Sequence, residues 1–196
     1  MNIFITSCNP YIAATHLDDL RLNKMILETA QILSTVIRSH GGYIVDQYNN
    51  ILYKSTHANH PCTVWARKKI DNFNWLLKYF NALHEEYLAR SKTEKPHLSY
   101  DKLNNIFLEY MYLNQQPFET DNNKIIFDFD CTNVEVQTLF LDEGIHGKYK
   151  ECMINKWRTD KKQPRWWKSS DIDDVPLFAK SYLVKHTWTN EKMKGL

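Results

Sequence analysis

Arg21, Lys24, Glu28 and Gln31 recur at spacings of three, four and three residues, so a helix aligns them in a single stripe. Met25 and Ile32 flank that stripe on one side, and Leu17, Leu20 and Leu27 flank it on the other. Two readings follow. Either these are ion pairs at the edge of a core, or they form the floor of a trench between apolar walls where chemistry is done. In such a trench, burial disfavours the ammonium of Lys24 while Glu28, one turn away, favours it, leaving an amine usable near neutral pH. Arg21 beside them suits a phosphate.

A second group is the loop His57-Ala58-Asn59-His60-Pro61-Cys62. Two imidazoles and a thiol invite zinc, but the spacing is no zinc signature. The loop reads instead as a helix start, with Asn59 or His60 as cap and Pro61 in the first turn, offering backbone N–H groups and His57 and His60 to an anion. Cys62 there is either a thiol activated by the helix end or a buried structural residue.

The third group lies near the end. Lys148, Lys150, Lys156, Arg158, Lys161, Lys162, Arg165 and Lys168 are interleaved with Tyr149, Trp157, Trp166 and Trp167. Basic charge neutralises phosphates and aromatic faces stack on bases, so the stretch points to nucleic acid; otherwise it is a solvated helix end with its tryptophans inside.

The elements that must position these groups are mostly helical. Residues 16–39 carry Leu22, Met25, Ile26, Thr29, Ile32, Leu33, Val36 and Ile37 on one arc and stop at Gly41-Gly42. A small hairpin is expected at about 43–53. A second long helix is expected over 61–90, with Phe73, Leu76, Leu77, Phe80, Leu83 and Tyr87 facing the first, followed by helices near 100–112 and 142–157. MNIFITS reads as a strand or extended segment, and KIIFDF at 124–129 as a strand or a loop on the core. The expected fold is mainly α: one domain over 1–196, a helical bundle built on two long antiparallel helices with the hairpin as an insert.

The 196 residues are enough for a real core without staples. Five glycines in the whole chain argue against a glycine-rich nucleotide-binding fold or a β-sandwich, and no phosphate-cradling, serine-hydrolase or HExxH motif occurs. Cys8, Cys62, Cys131 and Cys152 form no CxxC pair, and no apolar run is long enough to span a membrane. Free thiols in a cytoplasmic setting are expected, with no cofactor, no metal and no membrane partner.

The order of parts resembles the phage-type pyrimidine-dimer DNA glycosylases, the endonuclease V-like base-excision enzymes. A short N-terminal segment leads to a helix opening His16-Leu17 with Arg21 a turn later. A His-containing loop then starts a second amphipathic helix, and Gln163-Pro164-Arg165-Trp166-Trp167-Lys168 is similar to the family's closing Pro-x-Trp-aromatic-Lys segment. The spacing of Asp18, Asp19, Arg21, Lys24, Met25 and Glu28 with the His57–Cys62 loop also resembles small phage proteins, implying a phage origin and the host cytoplasm. The resemblance implies a helical bundle in which an N-terminal amine attacks the sugar C1′, a Schiff base forms, and a helix glutamate assists. Here Asn2 favours retention of Met1, and Leu22-Asn23 stand where the acid after the helix arginine belongs.

The expectation is therefore an enzyme acting on a base of double-stranded DNA or on its N-glycosidic bond. Lys24, Glu28 and Asp19 are the candidate catalytic groups. Arg21, His16, His57, His60, Lys161, Lys162, Arg165, Trp166 and Trp167 are the candidate nucleic-acid contacts. The competing expectations are a transferase that modifies a phage DNA base, and a catalytically inactive DNA-binding protein that blocks host defence.

Overall fold

The structure is a computed structural model that describes residues 3–42, 45, 50–113, 144–162, 164–166 and 175–183. These residues are mainly helical. The chain opens with Ile3, Phe4 and Ile5 buried in an extended segment. Asn9 then caps a short helix, α1 (Pro10–Thr15), accepting from the Tyr11 N–H, with Pro10 in the first turn. The helix expected from residue 16 is thus two elements, because α2 (Asp19–Ser39) starts afresh at its own cap, Asp18.

Along α2 every residue of the expected apolar arc is buried, from Leu22 to Ile37. The helix ends where the glycines require it. Gly41 takes φ +71°, and the Gly42 N–H closes on the Ile37 carbonyl at 2.9 Å. A side chain at Gly42 would come within 2.6 Å of both Ile37 and Tyr110, so only glycine fits. Just before this stop, Arg38 donates to the carbonyls of Tyr53 and Leu52 and ties the connection back to the helix.

That connection corrects the expected hairpin. Among the described residues it is a lone antiparallel bridge between Val45 and Ile51, with both side chains exposed. Two residues without an apolar face to bury do not sustain a ladder.

The expected helix over 61–90 is also corrected. It is α3 (Pro61–Lys68) followed by α4 (Ile70–Ser91), separated by Lys69 in extended backbone at φ −138°, ψ 146°. Asn72 donates to the Trp65 carbonyl at 2.9 Å and satisfies an acceptor that the broken helix leaves open. Then come α5 (Leu98–Leu113), α6 (Gly144–Thr159) and a short α7 at residues 177–183. The 124–129 segment lies outside the described residues.

α2 packs on α3, α4 and α5, and α1 packs on α4. Large side chains fill the space between them: Trp65, Phe73, Tyr79, Phe80, Phe107 and Tyr110 are all buried. Each of the three phenylalanines contributes about 1.5–3 kcal/mol relative to exposure. Arg90, near the end of α4, is 4% exposed; it pairs with Glu86 and Asp19 and donates to the carbonyls of Leu17 and Thr15. Cys8, Cys62 and Cys152 form no disulfide. No helix of the described residues is long and apolar enough to cross a membrane.

Candidate active site and nucleic-acid interface

A cleft of about 550 Å³ opens between the first half of α2 and the C-terminal end of α6. Phe4, Leu20 and Met25 supply its apolar lining, and Arg21, Lys24 and Glu28 line it from α2. The opposite wall is Asn155, Lys156, Thr159 and Asp160. Three of the four stripe residues therefore do share a cavity, which an edge-of-core row of ion pairs would not require.

Within it, Lys24 Nζ lies 3.2 Å from Glu28 Oε1. The burial of the pair is the reverse of the expectation: the Lys24 side chain is 65% exposed and that of Glu28 only 13%. The desolvated lysine does not form, because Leu20 and Leu27, its expected walls, are themselves 58% and 38% exposed. Glu28 is the enclosed group.

Arg21 is held more tightly than its expected role implies. Its Nη1 donates to Asp18 Oδ2 at 2.8 Å and its Nη2 to Asp160 Oδ2 at 2.5 Å. Asp18 is itself 1% exposed, caps α2 through the Arg21 N–H, and accepts from the Trp157 indole at 2.9 Å. One carboxylate thus joins the start of α2, the arginine and α6.

The N-terminal segment behind Phe4 is pinned from three directions. His16 Nδ1 meets Thr6 Oγ1 at 3.0 Å, His146 Nδ1 lies 2.8 Å from the Ile5 carbonyl, and the Trp75 indole donates to the Cys8 carbonyl at 2.7 Å. His16 also stands edge-on to Phe178. Burial, with help from the charge of Lys150, lowers its pKa to about 4. The structure thus leaves His16 half-buried, bracing the N-terminal segment through Thr6.

His60 caps α3, accepting the Cys62 N–H on Nδ1 at 3.3 Å, and its ring lies edge-on to that of His57. Burial lowers its pKa, the charge of His57 lowers it further, and that of Glu28 opposes the shift. Cys62 is fully buried and its thiol is pushed up to about 12 by that burial, which removes it as a nucleophile.

Asp19 pairs with Arg90 at 3.2 Å and does not line the cleft with Lys24 and Glu28. Lys161, Lys162 and Arg165 are exposed and follow directly on the Asp160 wall. The Arg165 carbonyl accepts the Asp19 N–H at 2.8 Å, which docks this segment on the start of α2. Trp166 is 5% exposed and stands edge-on to Trp157, so its ring has no free face for a base. Trp167 lies outside the described residues.

The residues that sequence reasoning missed are Phe4, Asn155, Lys156, Thr159 and Asp160 as cleft walls. The last four had a signal, since pairs at i,i+4 such as Asn155/Thr159 and Lys156/Asp160 share a helix face. Nothing in that signal said which face meets α2.

The helical fold sets an amine, a carboxylate and an arginine in one cleft, and exposed basic residues follow its Asp160 wall along the chain. The family model described as pyrimidine dimer DNA glycosylase matches residues 1–99, half of the chain, and the chain belongs to that family. No curated protein and no solved structure matches it. Family membership supports a DNA-acting, glycosylase-like function. The matched half contains the α2 side of the cleft, whereas the α6 side lies beyond it.

Proposed function

We propose that the protein is a base-excision enzyme that acts on double-stranded DNA at the N-glycosidic bond, within the cleft between α2 and α6. The observation that carries this reading is the Lys24–Glu28 pair, 3.2 Å apart with the carboxylate enclosed, on the part of the chain that matches the glycosylase family. In this reading Glu28 takes a proton from the Lys24 ammonium beside it, and the freed amine attacks C1′ of the deoxyribose. The C1′–base bond breaks, its electron pair leaves with the base, and the base takes up a proton from water. The attached nitrogen sheds a proton to water, Glu28 returns its own proton to the ring oxygen O4′, and the C1′–O4′ bond breaks to leave the iminium. Lys161, Lys162 and Arg165 hold the flanking phosphates, with the His57/His60 loop contributing from the other side. The two long helices α2 and α4 run antiparallel in this scaffold. The seat of Arg90, from the end of α4, on the carbonyls that precede α2 supports that direction.

The exposure of Lys24 favours one specific second route: Glu28 directs a water molecule to C1′, releasing the base without a covalent intermediate. Incubation with ultraviolet-irradiated duplex in the presence of borohydride separates the routes. Imine chemistry leaves a cross-link that maps to the Lys24 peptide. The water route leaves free base and no cross-link. Mass spectrometry of the treated DNA completes the test. An added group on an intact base turns the assignment to a base-modifying transferase, and unchanged DNA from protein that still binds it leaves a non-catalytic DNA-binding protein. Either of these overturns the proposal.

A further inference from the structure

The two arms of Arg21 meet different kinds of carboxylate. Nη1 faces Asp18, which is 1% exposed and already engaged by the Arg21 N–H and the Trp157 indole. That arm belongs to the fold. Nη2 faces Asp160, whose side chain is 33% exposed and whose residue sits just past the end of α6, its N–H bonded to the Lys156 carbonyl at 2.9 Å. Asp18 alone neutralises Arg21. The second carboxylate leaves the group of three with a net charge of −1 inside a cleft that Lys24 and Lys156 also line. A site meant to attract phosphate has no electrostatic use for that extra anion, and the fold does not need it to satisfy a charge. A carboxylate and a phosphate present similar oxygen acceptors to a guanidinium, and both take its N–H groups well.

Resting on the reading of this cleft as the DNA site, we propose that Asp160 is a specificity-determining residue. It occupies the arm of Arg21 that a backbone phosphate takes when DNA enters the cleft, and only a phosphate driven inward displaces it. Undistorted duplex keeps its phosphates on its outer surface and meets the negative group. Duplex bent or opened at a damaged site delivers a phosphate to Nη2, and the carboxylate swings out to solvent. Discrimination then comes from a repulsion that one substrate overcomes and the other does not.

The test compares the full chain with Asp160→Asn and with Glu151→Gln. The latter removes an equal charge from α6, which Asp160 directly follows, at a residue paired with Arg158 and outside the cleft. Binding to undamaged and to ultraviolet-irradiated duplex is measured across a salt series. Asp160→Asn should bind undamaged duplex roughly tenfold more tightly, and log K should fall with log salt more steeply by about one phosphate contact. The preference for irradiated DNA should shrink by a similar factor, while Glu151→Gln leaves it unchanged. Millimolar inorganic phosphate should raise the melting temperature of Asp160→Asn more than that of the wild type, and more than chloride at equal ionic strength. This readout still decides the matter if the variant is destabilised. Equal discrimination in wild type and Asp160→Asn, the same change in Glu151→Gln, or no advantage of phosphate over chloride would overturn the proposal. Base release is scored separately: if Asp160→Asn tightens binding but no protein releases base, the glycosylase reading fails and this inference stands. If base is released and Asp160→Asn changes nothing, this inference alone fails.

Discussion

The indole N–H of Trp157 donates to Asp18 Oδ2 at 2.9 Å, a contact between residues 139 positions apart in the chain. The same oxygen pairs with Arg21, and the other oxygen caps α2. The geometry of the cleft therefore depends on a buried acceptor that serves both of its walls.

Replacing Trp157 by Phe keeps an aromatic ring against Phe178 and Tyr182, but it removes that donor and leaves part of a fully buried indole's space unfilled. Hydrogen bonds to charged groups are worth about 1.5–3 kcal/mol and the cavity adds to this, so urea denaturation should show a loss of at least about 1.5 kcal/mol. A loss below about 0.5 kcal/mol would mean that Asp18 is held well enough by Arg21 alone.

Lys24→Met and Glu28→Gln test the proposed chemistry. Each should reduce base release by at least about a hundredfold while melting temperature and DNA affinity stay near wild type. The double variant should be no worse than either single one, as for groups that act as a unit. A structural ion pair predicts otherwise: activity would fall only as far as the folded fraction.

Charge reversal at Lys161 and Lys162 should weaken binding to every duplex and flatten its salt dependence by about two phosphate contacts. Both side chains are exposed, so stability should move by no more than about 0.5 kcal/mol. Unchanged affinity would remove this stretch from the interface.

Acid should loosen the N-terminal segment through His16. Its folded pKa, about 4, lies below the ordinary 6.5, so the unfolded chain binds more protons between those values. The stabilisation is complete above pH 6.5, is lost as pH falls toward 4, and is constant below that. The full change is roughly 2 kcal/mol after allowance for partial solvent access. His16→Gln should remove this component from the pH dependence of urea unfolding. An identical pH profile in the variant would assign the acid sensitivity to other groups.

Much of α2 was legible because its burial follows a single period and its end is marked by glycines. The break at Lys69 was not. Cys62, Trp65, Ala66, Phe73, Leu76, Leu77 and Phe80 keep helical spacing straight across it, and neither Gly nor Pro marks the place. The candidate site was half legible for a similar reason. Arg21, Lys24 and Glu28 are neighbours on one helix, so local periodicity groups them. Asp160 and Lys156 join them only through tertiary packing, by way of Trp157 and Asp18. Adjacent Trp166 and Trp167 suggested a surface platform, yet Trp166 turns inward because Trp157 offers its ring an edge-on partner.

The hold on the first residues also sets a timetable for synthesis. The Ile5 carbonyl waits for His146, 141 residues further along the chain, and the α6 wall opposite Phe4 follows later still. At about 5–20 residues per second, the interval is on the order of ten seconds. Throughout it a nascent chain carries the whole α2 face of the cleft with nothing to close it. A chain assembled in this order acquires the cleft only after α6 has been made.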